Sequence, residues 1–300
     1  MKTLTRSNLS EALDLSTHPK LESLTITKGN TGLIDGYGGA KKLRAISFIE
    51  CGLTEVPDLS AATSLRHLNL SMNYMLRDYG NLANLPVTEL VLNGCDLKEV
   101  PESIAAIPDL RVLKMMDNFT LKSMDNLALL KQVQTLVLSR CRLSALPAGL
   151  AQMTSLLDLD FSRNSKLASL AGLNAPVLEK LMLDTSSSLT SLEGLSGAPK
   201  LKHLSLSASA LGEVPPEILE LKDLEELKLN CCPSLRPEGI ACLSGLPKLK
   251  LLDLSDCQLE ALPPSFSDFA SSITILVGHN NFDGKPKLPK NVRLDWSEAP

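Results

Sequence analysis

Apolar residues recur in a fixed order along this chain. In the segment at 65–73, LRHLNLSMN, Leu68 and Leu70 are separated by one polar residue and preceded by another leucine three positions earlier. A spacing of two predicts a short strand that turns Leu68 and Leu70 inward and leaves His67 and Asn69 facing outward. Between such segments lie arcs of a dozen or so residues, so the pattern predicts strands that alternate with return arcs.

The segment is repeated in phase through most of the chain. Its starts are 22 to 25 residues apart, with no gap that could hold a linker. A short unit repeated at fixed spacing predicts a stack of similar coils, each burying its apolar side against the next. The twelve copies start at Leu21, Leu43, Leu65, Val87, Leu110, Val133, Leu156, Leu178, Leu201, Leu224, Leu249 and Ser272.

The pattern L-x-x-L-x-L-x-x-(N/C) resembles the leucine-rich repeat family over roughly residues 21–283. The resemblance implies an α/β fold: a right-handed solenoid, shaped as a horseshoe or arc. Its concave face would be a parallel β-sheet of about twelve strands, and its convex face short helices, 3₁₀ turns and loops. The coils are similar to intracellular members, namely the repeat regions of plant disease-resistance proteins and bacterial effectors.

The ends of a stack need covering, because a bare terminal coil exposes its core. We therefore expect an N-terminal capping segment at 1–20, the solenoid at 21–283 and a C-terminal capping segment at 284–300. Leucines 9, 13 and 15 are expected to lie over the first coil. At the other end the expected lid consists of Leu288, Val292, Leu294 and Trp296.

The ninth position of the repeat is expected to be a buried structural ladder. It turns the chain off the strand, and an Asn amide there can donate to and accept from backbone groups, whereas a Cys thiol donates more weakly. Copies with Cys at the ninth position, which have a Pro-containing arc, alternate with copies that have Asn there. Ser186, Ser209 and Cys232 interrupt this alternation. The predicted ladder is Cys51, Asn73, Cys95, Asn118, Cys141, Asn164, Cys232, Cys257 and Asn280.

Composition narrows the classes of function. The formal net charge is −4 and no basic stripe is present, which argues against nucleic-acid binding, and no apolar run is long enough to insert in a membrane. The seven cysteines lack zinc-site spacing, so we expect free thiols, a reducing compartment and no metal or cofactor. The expected location is the cytoplasm, or a host cytoplasm for an exported effector, and the expected state is a monomer.

Three sets of residues are candidates for catalysis. The histidines at 18, 67, 203 and 279 are expected to be solvated surface residues. Asp158 and Asp160 lie two residues apart on one strand, and Asp184 lies at an outward position of a strand further along the sheet. The nearby Arg140 and Arg163 favour ion pairing over metal binding. Cys231 is the one cysteine at an outward position. No catalytic residue is predicted.

The outward third, fifth, seventh and eighth positions form the predicted binding face. Apolar side chains within a charged rim are typical of a transient protein interface. The partner-binding residues predicted there are Val91, Val112, Lys114, Met116, Val137, Arg140, Asp158, Asp160, Met182 and Asp184.

The resulting functional hypothesis is a non-enzymatic module that binds a protein partner on its concave face. The main alternative is the substrate-recognition part or adaptor of a ubiquitin ligase, or a bacterial effector acting in a host cell. Two further alternatives are an enzyme based on Cys231 and an oligomerising role for the convex arcs.

Overall fold

The computed structural model describes residues 1–297, so the last three positions of the expected C-terminal cap, 298–300, lie outside the described residues. The chain divides into two compact units, Met1–Cys141 (unit 1) and Arg142–Pro300 (unit 2). In each unit one short strand per coil is followed by a return arc, which is the arrangement of a leucine-rich repeat fold.

Unit 1 contains a parallel sheet of seven strands and a separate two-stranded sheet. The larger sheet has the order β1-β3-β5-β6-β7-β8-β9, and β2 pairs with β4. The strands are β1 (Thr3–Ser7), β2 (Leu13–Asp14), β3 (Ser23–Thr27), β4 (Ile34–Asp35), β5 (Ala45–Ile49), β6 (His67–Asn69), β7 (Glu89–Val91), β8 (Val112–Lys114) and β9 (Thr135–Val137).

Unit 2 contains seven parallel strands that pair in sequence order. They are β10 (Asp158–Asp160), β11 (Lys180–Met182), β12 (His203–Ser205), β13 (Glu226–Lys228), β14 (Leu251–Asp253), β15 (Ile273–Leu276) and β16 (Val292–Asp295). Sequential parallel pairing requires each arc to return the chain to the same end of the sheet, as the fixed repeat length allows.

The core is a set of leucine columns that run across the strands. In unit 1, Leu68 is in register with Leu90, Leu90 with Leu113, and Leu113 with Leu136, and all four are fully buried. The equivalent column in unit 2 passes through Leu204. This confirms the inward assignment of the fourth position. Full burial of each leucine contributes roughly 1.5–3 kcal/mol.

The arcs contain 3₁₀ helices, which suit them because one or two turns are too short for a stable α-helix. A proline precedes five of the six segments of five or more residues, where a missing N–H has no consequence, and Met124 precedes the sixth. The 3₁₀ segments are Leu15–Thr17, Thr31–Leu33, Tyr37–Gly39, Gly80–Leu82, Glu102–Ala106, Asp125–Leu129, Ala148–Gln152, Leu195–Gly197, Pro216–Glu220, Glu238–Gly245 and Pro264–Asp268. Within residues 1–297, no helix has the length and apolar character needed to cross a membrane.

Both end segments contribute a strand. In the first twenty residues β1 pairs with β3, with Leu4 and Leu15 fully or almost fully buried. At the other end β16 pairs with β15, Val292 is 7% exposed, and Trp296 packs edge-on against Phe282 with ring centroids 5.6 Å apart. The terminal segments therefore extend the sheets of their units.

The eighth position of the repeat has left-handed backbone geometry in every copy. Eleven of the twelve copies have a non-glycine residue there, and these residues, together with Asn8 of the N-terminal segment, have φ between +52° and +64°. The remaining copy has Gly94, with φ +61°. The conformation is maintained because the eighth N–H bonds a carbonyl of the following coil, as when Met72 N donates to Asn93 O at 2.8 Å. A non-glycine residue in this region costs about 1–3 kcal/mol. The non-glycine set is Asn8, Lys28, Glu50, Met72, Asp117, Arg140, Arg163, Thr185, Ala208, Cys231, Asp256 and His279.

Candidate partner-binding faces

The outward strand face of unit 1 brings three predicted apolar residues together around a lysine. Val91 is in register with Lys114, and Lys114 with Val137, while Val112 occupies the neighbouring outward position of β8. All four side chains are half-buried. Lys114 Nζ donates to Glu89 Oε1 at 2.7 Å, so a charged pair divides the expected apolar band.

His67, Glu89 and Lys114 form a chain of polar contacts across three strands. Besides the lysine, Glu89 contacts His67, with 3.0 Å between Oε2 and Nδ1. Burial by itself raises the pKa of Glu89, but the hydrogen bonds and charges of Lys114 and His67 outweigh it and leave this pKa lowered. Exposed pairs of this type contribute little stability, so their main effect is to orient the side chains on the face.

Met116 and Arg140 lie where the strands of unit 1 end. Met116 is half-buried, and its backbone N–H donates to Asn93 Oδ1 at 2.9 Å. Arg140 is exposed and places Nε 3.2 Å from Asp117 Oδ1. All six predicted binding residues of unit 1 therefore lie on β7 to β9 or immediately after them.

The strand face of unit 2 contains a cleft of about 570 Å³, which we call the strand-face cleft. Side chains from β11 to β15 line it, so it follows the sheet for about 19 Å at about 4.8 Å per strand. Its apolar members are Leu181, Met182, Leu204, Leu251 and Leu276, of which Leu181 and Leu204 belong to the buried leucine column. Its polar members include Asp184, His203, Ser205, Ser207, Glu226, Lys228, Asn230 and Asp253.

One carboxylate of the cleft is held by basic side chains. Glu226 contacts His203 Nδ1 at 3.0 Å and Lys228 Nζ at 3.3 Å. Burial opposes ionisation of Glu226, yet the bonds from these two residues leave its pKa lowered.

Two other carboxylates are held by hydroxyl and backbone groups. Asp184 accepts bonds from the Ser205 hydroxyl and from Ser207 N, the latter at 3.0 Å. Asp253 is only 2% exposed and accepts a bond from Ser255 N at 3.0 Å. The cleft thus offers apolar contacts and, at Asp184, a partly exposed hydrogen-bond acceptor.

Asp158 and Asp160 lie on β10, next to the cleft residues of β11. Lys180 Nζ is 4.0 Å from Asp158 Oδ2, and Asp160 accepts a bond from Ser162 N at 2.9 Å. Burial foremost raises the pKa of Asp158, with a further contribution from the charge of Asp160. In residues 1–297 no three His, Cys, Asp or Glu side chains are arranged to hold a metal ion.

The ninth-position asparagines bond the backbones of two coils. Asn73 Oδ1 accepts from Cys51 N at 2.9 Å and Leu53 N at 3.2 Å. Its Nδ2 donates to Phe48 O and Leu70 O, each at 2.8 Å. The asparagine therefore fixes the turn that sets the end of each strand face.

Known proteins show the same organisation. The family described as "Leucine Rich Repeat" matches residues 248–269, which include β14 and the arc after it. This match and the in-phase parallel strands of both units together identify the fold. The fold is that of a leucine-rich repeat solenoid. The internalin inlF of Listeria monocytogenes shares it, with a TM-score of 0.56 at 18% identity over 100% of this chain and 88% of that chain.

Two Arabidopsis thaliana proteins resemble the repeats in sequence. One, named as a disease resistance protein, is 28% identical over 240 residues, which cover 79% of this chain and 19% of that protein. Disease resistance protein RPS4B is 27% identical over 207 residues, which cover 66% of this chain and 17% of RPS4B. The solenoid therefore spans less than a fifth of the length of either relative.

The cysteines of the solenoid are all free thiols. Cys95 and Cys257 are fully buried, and burial raises the pKa of the two thiols to about 11 and about 12. Each donates one bond to a carbonyl of the preceding coil, as from Cys257 Sγ to Leu229 O at 3.0 Å. Cys231, at the outward eighth position, is exposed.

Several cleft residues were missed in the sequence. Leu251, Leu276 and Asp253 occupy the same outward positions as the predicted residues, but several copies further along the chain. The contact between His203 and Glu226 was also predictable from the sequence, because both residues occupy the third position of consecutive copies. Comparing one position across all copies would have found them.

Proposed function

We propose that this chain is a non-enzymatic recognition module that binds a protein partner through its outward strand faces, the concave face expected from the sequence. The strand-face cleft of unit 2 carries the proposal most directly. Apolar side chains alternate there with carboxylates and hydroxyls over five consecutive strands. An extended partner segment could bury apolar groups and satisfy its own N–H groups on this surface.

In unit 1 the proposed contact surface consists of the six residues from Val91 to Arg140 predicted from the sequence. Half-buried valines beside an oriented Lys114–Glu89 pair combine apolar contact with polar specificity. In unit 2 the same role is proposed for Asp158, Asp160, Met182 and Asp184, joined by Leu251.

The polar groups of the faces favour binding over catalysis. A hydroxyl or thiol nucleophile is commonly activated by a histidine within hydrogen-bond reach. In the described part of the chain, the Nδ1 atoms of His67 and His203 are instead directed at glutamates. These pairs present fixed charges to a partner.

The length of the relatives suggests how the module works. Because the chain matches less than a fifth of two disease resistance proteins, we propose that it acts as the recognition region of a larger protein. Seven free cysteines suit a reducing compartment such as the cytoplasm.

Affinity capture with matched variants tests the proposal. One variant carries Val91→Glu, Met116→Glu and Val137→Glu, and a second carries Met182→Glu and Leu251→Glu. The control carries Leu129→Glu and Val177→Glu, which lie on arcs and are 49% and 37% exposed. We expect at least one strand-face variant to lose the partner without a change in melting temperature, and the arc control to retain it. Retention by both strand-face variants, or loss by the control alone, would contradict the proposal.

A further inference from the structure

Exposed apolar side chains gather at one edge of unit 1, beyond the ends of the strands. Met72 is 42% exposed, Tyr74 53% and Phe119 44%. The chain has only ten aromatic residues, and Trp296 is the other one among the large exposed hydrophobic side chains of residues 1–297. Exposed aromatic side chains on a rigid frame are typical of the residues that dominate binding energy in protein interfaces.

A pocket of about 270 Å³ lies between these side chains, beside an interruption in the eighth-position column. The other eleven copies carry a side chain at this position, whereas this one has Gly94. A Cβ at Gly94 would come within 2.9 Å of Met72 Sδ and within 3.9 Å of the Tyr74 ring. The Met72 thioether therefore lies against Gly94, and the adjoining pocket has Met72, Tyr74 and Phe119 as its apolar walls; we call it the Gly94 pocket.

The walls are held in place. The Tyr74 hydroxyl donates to Met72 Sδ at 3.2 Å, which keeps the ring beside the thioether. The ordered stack beneath fixes Tyr74 and Phe119 two coils apart, or about 10 Å at the strand spacing. A preorganised pocket binds with less loss of side-chain entropy than one that must form on binding.

The charged groups at the rim of the pocket are already paired. Asp96 Oδ2 is 3.0 Å from an Arg77 terminal nitrogen, and Asp96 Oδ1 accepts from the Thr120 hydroxyl at 2.8 Å. Asp117 Oδ1 is 3.2 Å from Arg140 Nε. A charged occupant would therefore meet no net opposite charge, whereas an apolar one leaves both pairs intact.

We propose that the Gly94 pocket receives one apolar side chain, of the size of leucine, methionine or phenylalanine, from a protein partner. Its volume lies below the roughly 300–1,000 Å³ of small-molecule sites, which favours a single side chain over a cofactor. The paired charges around it form a polar rim that excludes water from the anchor. This inference rests on the proposed function only for the statement that the partner is a protein. The pocket itself lies at the edge of the strand face.

The test uses a phage-displayed library of random twelve-residue peptides, selected on the intact chain. The affinity of the selected peptides is then measured by fluorescence anisotropy for the wild type, Gly94→Asn and Tyr74→Ala. Asparagine tolerates the left-handed conformation and fills the pocket. Gly52→Asn is the matched control, since Gly52 has φ +66° and open space around it.

We expect selected peptides to share one apolar residue at a fixed place. Gly94→Asn, Tyr74→Ala and replacement of that residue by alanine should each weaken binding at least about tenfold, with Gly52→Asn unchanged. Recovery of no binders, a shared charged residue, or equal affinity for Gly94→Asn and Tyr74→Ala would overturn the inference. Peptides that lose affinity only for Met182→Glu/Leu251→Glu would overturn it while supporting the proposed function.

Discussion

The asparagines of the ladder should be far more important for stability than the cysteines that alternate with them. Asn118 is fully buried, and its Oδ1 accepts bonds from Cys95 N at 3.0 Å and Leu97 N at 3.1 Å. Its Nδ2 donates to Leu92 O at 2.9 Å and Met115 O at 2.8 Å. Asn118→Ala would remove a hydrogen-bond partner from all four backbone groups, and only Met115 O would keep a second donor, the Cys141 thiol at 3.2 Å.

The size of the effect follows from these four groups. Each buried polar group left without a partner costs about 1–3 kcal/mol, although the costs do not add fully and water can enter the gap. We therefore expect Asn118→Ala to lower the free energy of unfolding by about 4–5 kcal/mol. Cys95→Ala removes one thiol bond, to Leu70 O at 3.2 Å, and a small apolar volume, so we expect about 1–2 kcal/mol.

Urea unfolding followed by far-ultraviolet circular dichroism measures both variants. A tryptic-fragment or hydrogen-exchange readout should accompany it, to show whether unit 1 unfolds in its own step. The reasoning predicts a difference of at least about 2 kcal/mol between the variants. Equal midpoints for Asn118→Ala and Cys95→Ala would refute the proposal that the amide bonds hold the coils together.

Three further outcomes are expected. Thr185 is a β-branched residue with φ +58°, so Thr185→Gly should relieve strain and raise the free energy of unfolding by about 1 kcal/mol. The control Thr190→Gly should lower the free energy of unfolding. A lower urea midpoint for Thr185→Gly than for the wild type would contradict this reasoning. Ellman's reagent should modify one thiol rapidly in the native protein, and Cys231→Ser should abolish that phase; a fast phase that survives would place the reactive thiol elsewhere. The lowered pKa values of Glu89 and Glu226 imply a contribution to stability that is complete above the ordinary pKa of 4.5 and is lost as the pH falls through the folded-state values. The urea concentration at the unfolding midpoint should therefore decrease when the pH is lowered below 4.5. In a variant with both glutamates changed to Gln the decrease should be smaller, and an equal decrease would count against this account.

The fold could be predicted because each coil is encoded locally. The period of two at Leu68 and Leu70 specifies a strand, and the constant spacing places Leu68 beside Leu90 without any long-range information. The terminal strands are harder to predict, because Arg6 occupies the position at which other copies have an inward apolar residue. There the edge of the neighbouring strand imposes pairing that the local pattern does not specify.

The site was only partly predictable. Outward positions followed from the period, which placed Val137 and Met182 on the faces. The left-handed eighth position did not follow, since methionine and threonine have no preference for it and the stacking of coils imposes it. The Gly94 pocket depends on that geometry together with the side chains of three different copies, so a reading of one copy at a time could not reveal it.

Hydroxyl-radical footprinting of the chain, alone and with a captured partner, tests the central claim most directly. Recognition through the strand faces predicts reduced oxidation of Met116, Met182 or Leu251 in the complex, with Leu129 and Val177 on the arcs unchanged. Protection of the arc residues with no change at the strand-face residues would show that the partner binds elsewhere.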